Sequence, residues 1–420
     1  MDIEVIISNP KHNEKSLLYD FLKPWLCDGL LLSKGSKWQE RRKILTPAFH
    51  FNILQQFTGV LEENSMKLVE DLSDGENEQE LNVIPLMSNV TLHSICETSM
   101  GTKLDEDQSG ASKNYKDAIH EIGKLIIHRI ARSWLAFDVI FNRTKEGRRQ
   151  KEVLNTIHNF SKRIIEDRRS YIERYGFQIP TTSLNADDVI GSAKRRMAML
   201  DLLLSAEREG LIFEEGIKEE VDTFMFEGHD TTAMGLTYAL LELANNTDIQ
   251  NKVLEELRHT FGDSTRTATM QELTSLKYLE CCIKETLRLY PPVPCISRFI
   301  SEGVQLSGHT IPSGKTLCHI HIFDLHRRAD LYENPLTFDP ERFTAENSLS
   351  RHPYSYIPFS GGQRNCIGQR FAMLEMKSVL AAILRRFELH PITKPSELKF
   401  SADLVLRTTH PIYVKFVKRI

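Results

Sequence analysis

The sequence predicts a mainly α-helical protein with a few small β-sheets. Two stretches, residues 221–244 and 367–387, place apolar residues at the steps of three and four that are typical of helices. Only short segments, such as residues 309–323 and 412–417, alternate or cluster the residue types that favour strands. No linker, low-complexity run or internal repeat divides the 420 residues, so we expect a single domain that spans residues 1–420.

Charge and cysteine content argue against several classes of protein. The net charge of -4, with basic residues in short scattered clusters, indicates no nucleic-acid partner. Seven irregularly spaced cysteines argue against a disulfide framework and for a reducing compartment. The sequence has no run of eighteen apolar residues and no signal-peptide pattern at its start, so no transmembrane helix is predicted.

The first half of the chain is predicted to be mostly helical, and residues 125–141 are its most apolar part. Arg129 and Arg132 interrupt this part. Two interpretations remain open, namely a helix that lies over a pocket or against a bilayer surface, and an ordinary core helix. A loop rich in Pro, Thr, Ser and Asn is predicted at residues 178–188.

Trp38 and Arg42 stand at i and i+4 on a predicted helix and therefore share one face of it. An indole N–H and a guanidinium on one face can point together at a carboxylate. The alternative is an ordinary pair of core and surface neighbours. Farther along, Glu285 and Arg288 are i, i+3 neighbours on a helix that three prolines end.

The predicted helix at residues 221–244 carries a polar cluster inside an apolar pattern. Buried acids and hydroxyls are costly in such a helix unless they have a use. Gly228 and the neighbouring threonines are expected to weaken the helix there and to leave room for a ligand or water. The alternative is that these groups cap the helix or are satisfied in the core. The polar residues are Glu227, His229, Asp230, Thr231 and Thr232.

The stretch FSGGQRNCIG at residues 359–368 points most directly to chemistry. Cys366 directly precedes a helical pattern, where backbone N–H groups and the helix dipole are expected to lower the pKa of its thiol. Gly361 and Gly362 permit a turn that a Cβ would block, and Gly368 permits a close approach. We therefore predict a metal-ligating thiolate, against the alternative of a buried structural cysteine in a Gly-rich turn.

These motifs resemble those of the cytochrome P-450 monooxygenases. FSGGQRNCIG matches F-x-x-G-x-R-x-C-x-G, the loop that carries the proximal haem ligand in that family. GHDT at residues 228–231 fits the motif of the oxygen-binding helix, Ala/Gly-Gly-x-Asp/Glu-Thr, except that Glu227 replaces the first Ala or Gly. The form FEGHDTT is similar to that of family 4, in which this glutamate can become ester-linked to a haem methyl.

The resemblance implies a fold and a set of site residues. The expected fold is that of cytochrome P-450, with haem b between the distal, oxygen-binding helix and the cysteine-loop helix. Asp230 is expected to relay protons, and the Thr231 hydroxyl is expected to hydrogen-bond the iron-oxygen intermediate. Arg342 is expected to join Glu285 and Arg288 in a buried structural triad. Cys366 is expected to ligate the iron, and the other expected contacts to haem are Glu227, Trp38, Arg42, Arg298 and Arg364.

The resemblance also implies an activity, the insertion of one oxygen atom from O2 into a C–H bond. For family 4 the expected reaction is terminal (omega) hydroxylation of fatty acids or related lipids. A xenobiotic, terpenoid or steroid oxidase and a non-catalytic haem-binding paralogue stay open as alternatives. Retention of both Asp230 and Thr231 favours an enzyme over a non-catalytic haem protein.

The expected partners are O2, a hydrophobic small molecule, a membrane surface and a reductase. The chain has no flavin or nicotinamide fingerprint, so NADPH-cytochrome reductase is expected to supply the electrons. Lys37, Arg41 and Lys43 are candidates for docking it. The location that the resemblance implies is the cytosolic face of the endoplasmic reticulum membrane.

Microsomal members of the family begin with a membrane anchor, a Pro-rich hinge and the first strands of a sheet. This chain begins at what resembles the helix that follows them. The expectation is an N-terminally truncated member that lacks the anchor and first strands. Such a form is expected to be less stable than a complete member, because a sheet without its first strands exposes unpaired backbone groups.

Overall fold

The computed structural model describes residues 2–104, 110–176, 198–262, 264–314 and 316–419. In these ranges the chain is mainly helical with small antiparallel sheets, and this confirms the predicted fold class. The loop predicted at residues 178–188 lies outside them. No helix within the described ranges combines the length and the apolar character needed to cross a bilayer.

The structure describes sixteen α-helices and nine strands. In the order of the sequence, the α-helices are α1 Asp2–Ile7, α2 Lys23–Leu26, α3 Gly35–Leu45, α4 Phe51–Ser73, α5 Val83–Thr98, α6 Ala111–Ile130, α7 Asp138–Phe141, α8 Lys145–Tyr175, α9 Met199–Arg208, α10 Glu214–Asn245, α11 Thr247–Phe261, α12 Met270–Ser275, α13 Lys277–Leu289, α14 Ile322–Leu325, α15 Ala345–Ser348 and α16 Gln369–Arg386. The strands are β1 Glu78–Asn82, β2 Cys295–Ile300, β3 Val304–Leu306, β4 His309–Ile311, β5 Thr316–His321, β6 Phe387–Pro391, β7 Phe400–Ser401, β8 Arg407–Thr408 and β9 Tyr413–Lys418.

The described strands pair antiparallel in four small sheets. β9 lies between β1 and β6 and places Phe416 opposite both Gln79 and Leu389. β2 pairs with β5, with Arg298 opposite Cys318. β3 pairs with β4, and β7 pairs with β8. The two segments with predicted strand character contain β4, β5 and β9, so this expectation is confirmed.

Helix α10 runs through the centre of the fold. It packs against α5, α8, α13, α16 and β6. A helix enclosed on all sides must be apolar around its whole circumference, which accounts for the long apolar pattern at residues 221–244. From residue 220 to residue 244 every side chain is buried except three, those of Glu227, Gly228 and Thr231. These three residues form the only opening in the central part of the helix, and we call them the α10 window.

The apolar segment at residues 125–141 does not form one helix, so both interpretations of it as a single helix were wrong. Helix α6 ends at Ile130, and a 3-10 turn, Ser133–Ala136, and then α7 follow. The cause is Arg129, which is buried and donates hydrogen bonds to Leu135 O at 2.8 Å, to Ala136 O at 3.1 Å and to the Asp138 carboxylate. Its guanidinium also stacks on Phe141, 4.3 Å from the ring centre. Arg129 therefore folds the chain back over the end of α6.

Candidate active site

The cysteine loop is a tight turn whose backbone conformation depends on glycine. Cys366 N donates to Phe359 O at 3.0 Å and closes the loop. Gly362 has a φ of +66°, in the left-handed region, and a Cβ there would collide with Ile7 O. A Cβ at Gly361 would lie 3.1 Å from the Tyr354 ring, closer than ordinary packing allows. The structure thus places both glycines where the turn and the contact with α1 need them.

One expectation about this loop was wrong, and another stays a prediction. The helix begins at Gln369 and not at residue 367, so Cys366 lies in the turn that precedes it. Gly368 has ordinary backbone angles, and a Cβ there would meet Phe49 at 3.8 Å and Cys366 Sγ at 4.0 Å, which are normal packing distances. The described protein atoms therefore do not require glycine at position 368.

The thiol of Cys366 has a raised pKa, contrary to the lowered pKa that the sequence suggested. Solvent reaches the side chain, but the surrounding protein groups of the recess displace much of the water around the sulfur. This desolvation raises the pKa of the thiol to about 11. The charge of Glu227 raises it further, while the Gly368 N–H and Arg42 oppose the shift. Because α16 starts three residues after Cys366, only one amide acts directly on the sulfur. The thiolate therefore needs an additional positive charge, such as that of a metal ion.

The sulfur stands alone as a metal donor. Among the described residues, no group of three or more His, Cys, Asp or Glu side chains could hold a metal ion. A single thiolate suits a metal that arrives with most of its ligands already in place, as the iron of a porphyrin does. The donor set at Cys366 therefore fits haem and not a protein-only metal centre.

The α10 window faces the same recess. Burial raises the pKa of Glu227 to about 7, while Lys15, Arg364 and Arg42 act to lower it. Thr231 Oγ1 donates to Glu227 O at 2.7 Å. The helix continues unbroken through Gly228, so the expected weakening of α10 was wrong. Gly228 instead leaves room for Ile95, whose Cδ1 would lie 2.6 Å from a Cβ at that position.

Asp230 lies next to Thr231 in sequence but is not part of the α10 window. It is buried and accepts a hydrogen bond from Arg407 Nη2. Burial alone would raise the pKa of Asp230, but the positive charge of Arg407, supported by His229 and His120, holds it below its usual range. The carboxylate is therefore ionised at neutral pH. Arg407 lies in strand β8, far from Asp230 in sequence, and no sequence feature indicated it.

Four cationic side chains lie around the recess. Arg42 donates to Asn365 O at 3.0 Å and to Asn365 Oδ1 at 2.9 Å. The Arg364 guanidinium lies 4.7 Å from the centre of the Trp38 ring, so α3 presents Trp38 and Arg42 together to the cysteine loop. The other two cations are Arg298 and Lys15.

Arg298 and Lys15 are both buried, and Lys15 is a residue that the sequence analysis missed. Arg298 Nη1 donates to Ser297 O at 3.0 Å, while its buried Nη2 has no hydrogen-bond partner among the described residues. Burial, together with the charges of Arg298 and Arg364, lowers the pKa of Lys15 far below its ordinary value. A buried lysine is not recognisable from local sequence, because its surroundings come from distant segments. This excess of positive charge fits a group with two carboxylates, such as the propionates of haem b.

Glu285, Arg288 and Arg342 meet behind the cysteine loop. Arg288 holds Glu285 through two hydrogen bonds of 2.7 Å, and both residues are fully buried. Arg342 Nε lies 3.4 Å from Glu285 Oε1. Arg288 also donates to His326 O, and His326 Nε2 accepts a hydrogen bond from Ile357 N at 2.9 Å. The cluster therefore supports the chain just before the cysteine loop begins.

Only one of the three basic residues expected to dock a reductase is available on the surface. Lys37 is paired with Asp28 at 3.0 Å and with Glu219 at 2.9 Å. Arg41 is largely buried beside Glu219 and Glu220. Sequence alone could not reveal these ion pairs, because Asp28 precedes α3 and Glu219 and Glu220 lie on the distant helix α10. Lys43 is exposed, and so is Arg370, at the start of α16.

Comparison with known proteins agrees with this geometry. A family model described as cytochrome P-450 matches residues 4–416. The chain is 43% identical to cytochrome P-450 4V2 of Mus musculus over 100% of this chain and 79% of the relative. It is 42% identical to cytochrome P-450 4V2 of Homo sapiens, again over 100% of this chain and 79% of the relative. It is 41% identical to cytochrome P-450 4c3 of Drosophila melanogaster over 99% of this chain and 78% of the relative.

The electrostatic coupling between Glu227 and Cys366 can be measured in the haem-free protein. Glu227→Gln removes a negative charge that raises the pKa of the Cys366 thiol, so the thiolate fraction at pH 8 to 9 should increase. We expect alkylation of Cys366 to become faster by up to roughly tenfold, the effect of about one pKa unit. Peptide-level mass spectrometry distinguishes Cys366 from the other thiols. Glu242→Gln, which alters another buried carboxyl of α10, is the matched control, and equal rates for both variants would contradict the coupling.

Proposed function

Because the chain belongs to the cytochrome P-450 family, it is a haem monooxygenase, and we propose that it hydroxylates fatty acids or related lipids at the terminal carbon. The observation that carries this proposal is Glu227, a carboxyl group at the α10 window where the wider family has Ala or Gly. It belongs to the stretch FEGHDTT, the form that is typical of family 4. The relatives reported above are also named as members of family 4.

The cofactor is haem b, and we propose specific side chains to hold it. Cys366 ligates the iron, and Lys15, Arg42, Arg298 and Arg364 bind the two propionates. With a thiolate ligand, haem activates O2 and favours cleavage of its O–O bond. The unpaired Nη2 of buried Arg298 supports this assignment, because a buried donor without an acceptor is costly unless a ligand provides one.

Thr231 and Asp230 have different roles in proton transfer. The hydroxyl of Thr231 donates to Glu227 O, which leaves its lone pairs free to accept a hydrogen bond at the window. Asp230 is ionised and held by Arg407, so it must first take up a proton before it can give one. Because Asp230 is buried, it can hold a proton for the window without bulk water filling the recess.

The substrate class is tested by product analysis. The purified holoenzyme is supplied with NADPH-cytochrome reductase and a panel of saturated fatty acids, beside parallel terpenoid, steroid and xenobiotic panels. We expect terminal alcohols of fatty acids to dominate. Turnover confined to the other panels, or attack at internal methylenes, would overturn the proposal. Cys366→Ala is the control and should lose both turnover and the red-shifted Soret band of the reduced, CO-bound protein.

We also propose that Glu227 forms an ester with a haem methyl during early turnovers. The reaction replaces one methyl C–H bond with a C–O bond and releases a proton and two electrons, which the enzyme's own O2-consuming turnover accepts. A fixed ring would stiffen one wall of the recess. A stiff, narrow approach favours the terminal methyl over more reactive inner methylenes by positioning.

The ester is detected by acidic organic extraction followed by mass spectrometry. After turnover, wild-type protein should retain haem on the peptide that contains Glu227. Glu227→Ala should release all of its haem. If wild-type haem is extracted as completely as that of the variant, no ester forms.

We further propose that the enzyme acts at the cytosolic face of the endoplasmic reticulum membrane, with NADPH-cytochrome reductase docking near Lys43 and Arg370. The surface that Arg129 organises supports membrane contact. Its hydrophobic side chains are exposed to a degree unusual for such residues, and they are Trp134 (61%), Phe137 (67%), Val139 (66%) and Ile140 (45%).

Binding to vesicles tests the membrane surface. Trp134→Ser combined with Phe137→Ser should weaken binding to neutral phospholipid vesicles by at least about tenfold, since burying one large apolar side chain contributes roughly 1.5–3 kcal/mol. Leu336→Ser combined with Leu349→Ser is the matched control, because these two leucines are exposed elsewhere on the surface. Equal binding by both double variants would assign membrane contact to another part of the protein.

A further inference from the structure

A short turn, residues 28–33, lies between α10 and the cysteine loop, and we call it the bridging turn. Its backbone is closed on itself by hydrogen bonds from Leu32 N and Ser33 N to Gly29 O, at 2.9 and 2.8 Å. It also lies directly on α10. A Cβ at Gly29 would collide with Thr223 Oγ1 and would lie 2.7 Å from Glu219 O.

Two carboxylates of α10 accept hydrogen bonds from backbone N–H groups of the bridging turn. Leu30 N donates to Glu220 Oε2 at 3.0 Å, and Asp28 N donates to Glu219 Oε1 at 3.3 Å. Glu220 is fully buried. Arg41 Nε lies 3.7 Å from Glu220 Oε1, and this oxygen has no hydrogen-bond partner among the described residues. Glu220 thus holds the turn through a hydrogen bond, although burying its carboxyl group costs free energy of desolvation.

Backbone carbonyl groups of the bridging turn accept hydrogen bonds from the cysteine loop. Arg364 Nη1 donates to Ser33 O and Arg364 Nη2 donates to Leu31 O, both at 2.8 Å. Arg364 stands two residues before Cys366 in a loop with little conformational freedom. One turn therefore connects the helix that carries the window with the loop that carries the cysteine.

We propose that Glu220 is a positioning residue for the haem site, which holds the bridging turn on α10 so that its carbonyls orient Arg364 and, through it, the cysteine loop. This inference rests on the proposed role of Cys366 as the iron ligand. Glu220 itself lies away from the window and has no direct part in the reaction. An ordinary packing role would affect overall stability without a specific effect on thiolate ligation.

The ionisation state of Glu220 decides the choice of variants. Burial raises the pKa of Glu220 to about 7, while the Leu30 N–H and the charge of Arg41 act to lower it. Either form of the carboxyl group accepts the hydrogen bond from Leu30 N. Glu220→Gln keeps an acceptor oxygen for this amide, whereas Glu220→Ala removes it.

The test uses the holoenzyme and follows the red-shifted Soret band of the reduced, CO-bound protein under mild heating. Because Glu220→Ala leaves the buried Leu30 N–H without its acceptor, this variant should lose the band roughly ten to a hundred times faster than wild type. Glu220→Gln should stay close to wild type. Gly29→Ala should act like Glu220→Ala, since it pushes the turn away from α10 and leaves Glu220 in place. Glu215→Ala, an exposed change on the same helix, is the matched control.

A double-mutant cycle distinguishes positioning from general destabilisation. If Glu220 acts through Arg364, the effects of Glu220→Ala and Arg364→Lys on the rate of band loss should not add, because either change breaks the same connection. Additive effects, or loss of the band at the wild-type rate in both Glu220→Ala and Gly29→Ala, would overturn the inference. If Glu220→Ala does not fold, the cycle is made with Gly29→Ala. A wild-type protein without the red-shifted band would instead overturn the assignment of Cys366 and the inference with it.

Discussion

The balance of charge around Cys366 is the constraint on which the site depends. Burial disfavours the thiolate, and the nearest acid, Glu227, disfavours it further. On the same recess, Lys15 and Arg298 are buried basic groups with no ion pair to a carboxylate among the described residues, and burial lowers the pKa of both. Without a cofactor, the protein therefore leaves the charges of these groups without full compensation. In the proposed assignment, bound haem b would correct both faults, since its iron would meet the sulfur and its propionates would meet the basic side chains.

The fold supports this site by enclosing one helix almost completely. Because α10 is surrounded by other elements, its side chains have no freedom to repack, and the window of three residues has a fixed position. On the opposite side, the hydrogen bonds from Arg288 to Glu285 and from Ile357 N to His326 hold the approach to the cysteine loop. The bridging turn then connects the two halves of the site, through Glu220 on α10 and Arg364 in the cysteine loop.

The sequence was sufficient wherever local spacing determines the outcome. It located the apolar central helix, the glycines of the cysteine loop and the pair Glu285 and Arg288, because each depends on near neighbours in the chain. It failed for Lys15 and Arg407, whose partners come from distant segments, and for Lys37, whose acids lie on other elements. The pKa of Cys366 was also mispredicted, since desolvation by the whole fold outweighs one helix terminus.

The folded-back segment around Arg129 has a consequence for the energetics of surface contact. Its guanidinium already bonds two carbonyl oxygens and the Asp138 carboxylate, so the backbone that carries Trp134 and Phe137 is ordered before any partner arrives. Ordering a free backbone costs about 1–2 kcal/mol per residue. A preformed surface avoids most of this loss of conformational entropy, so more of the free energy gained by burying its apolar area remains as affinity.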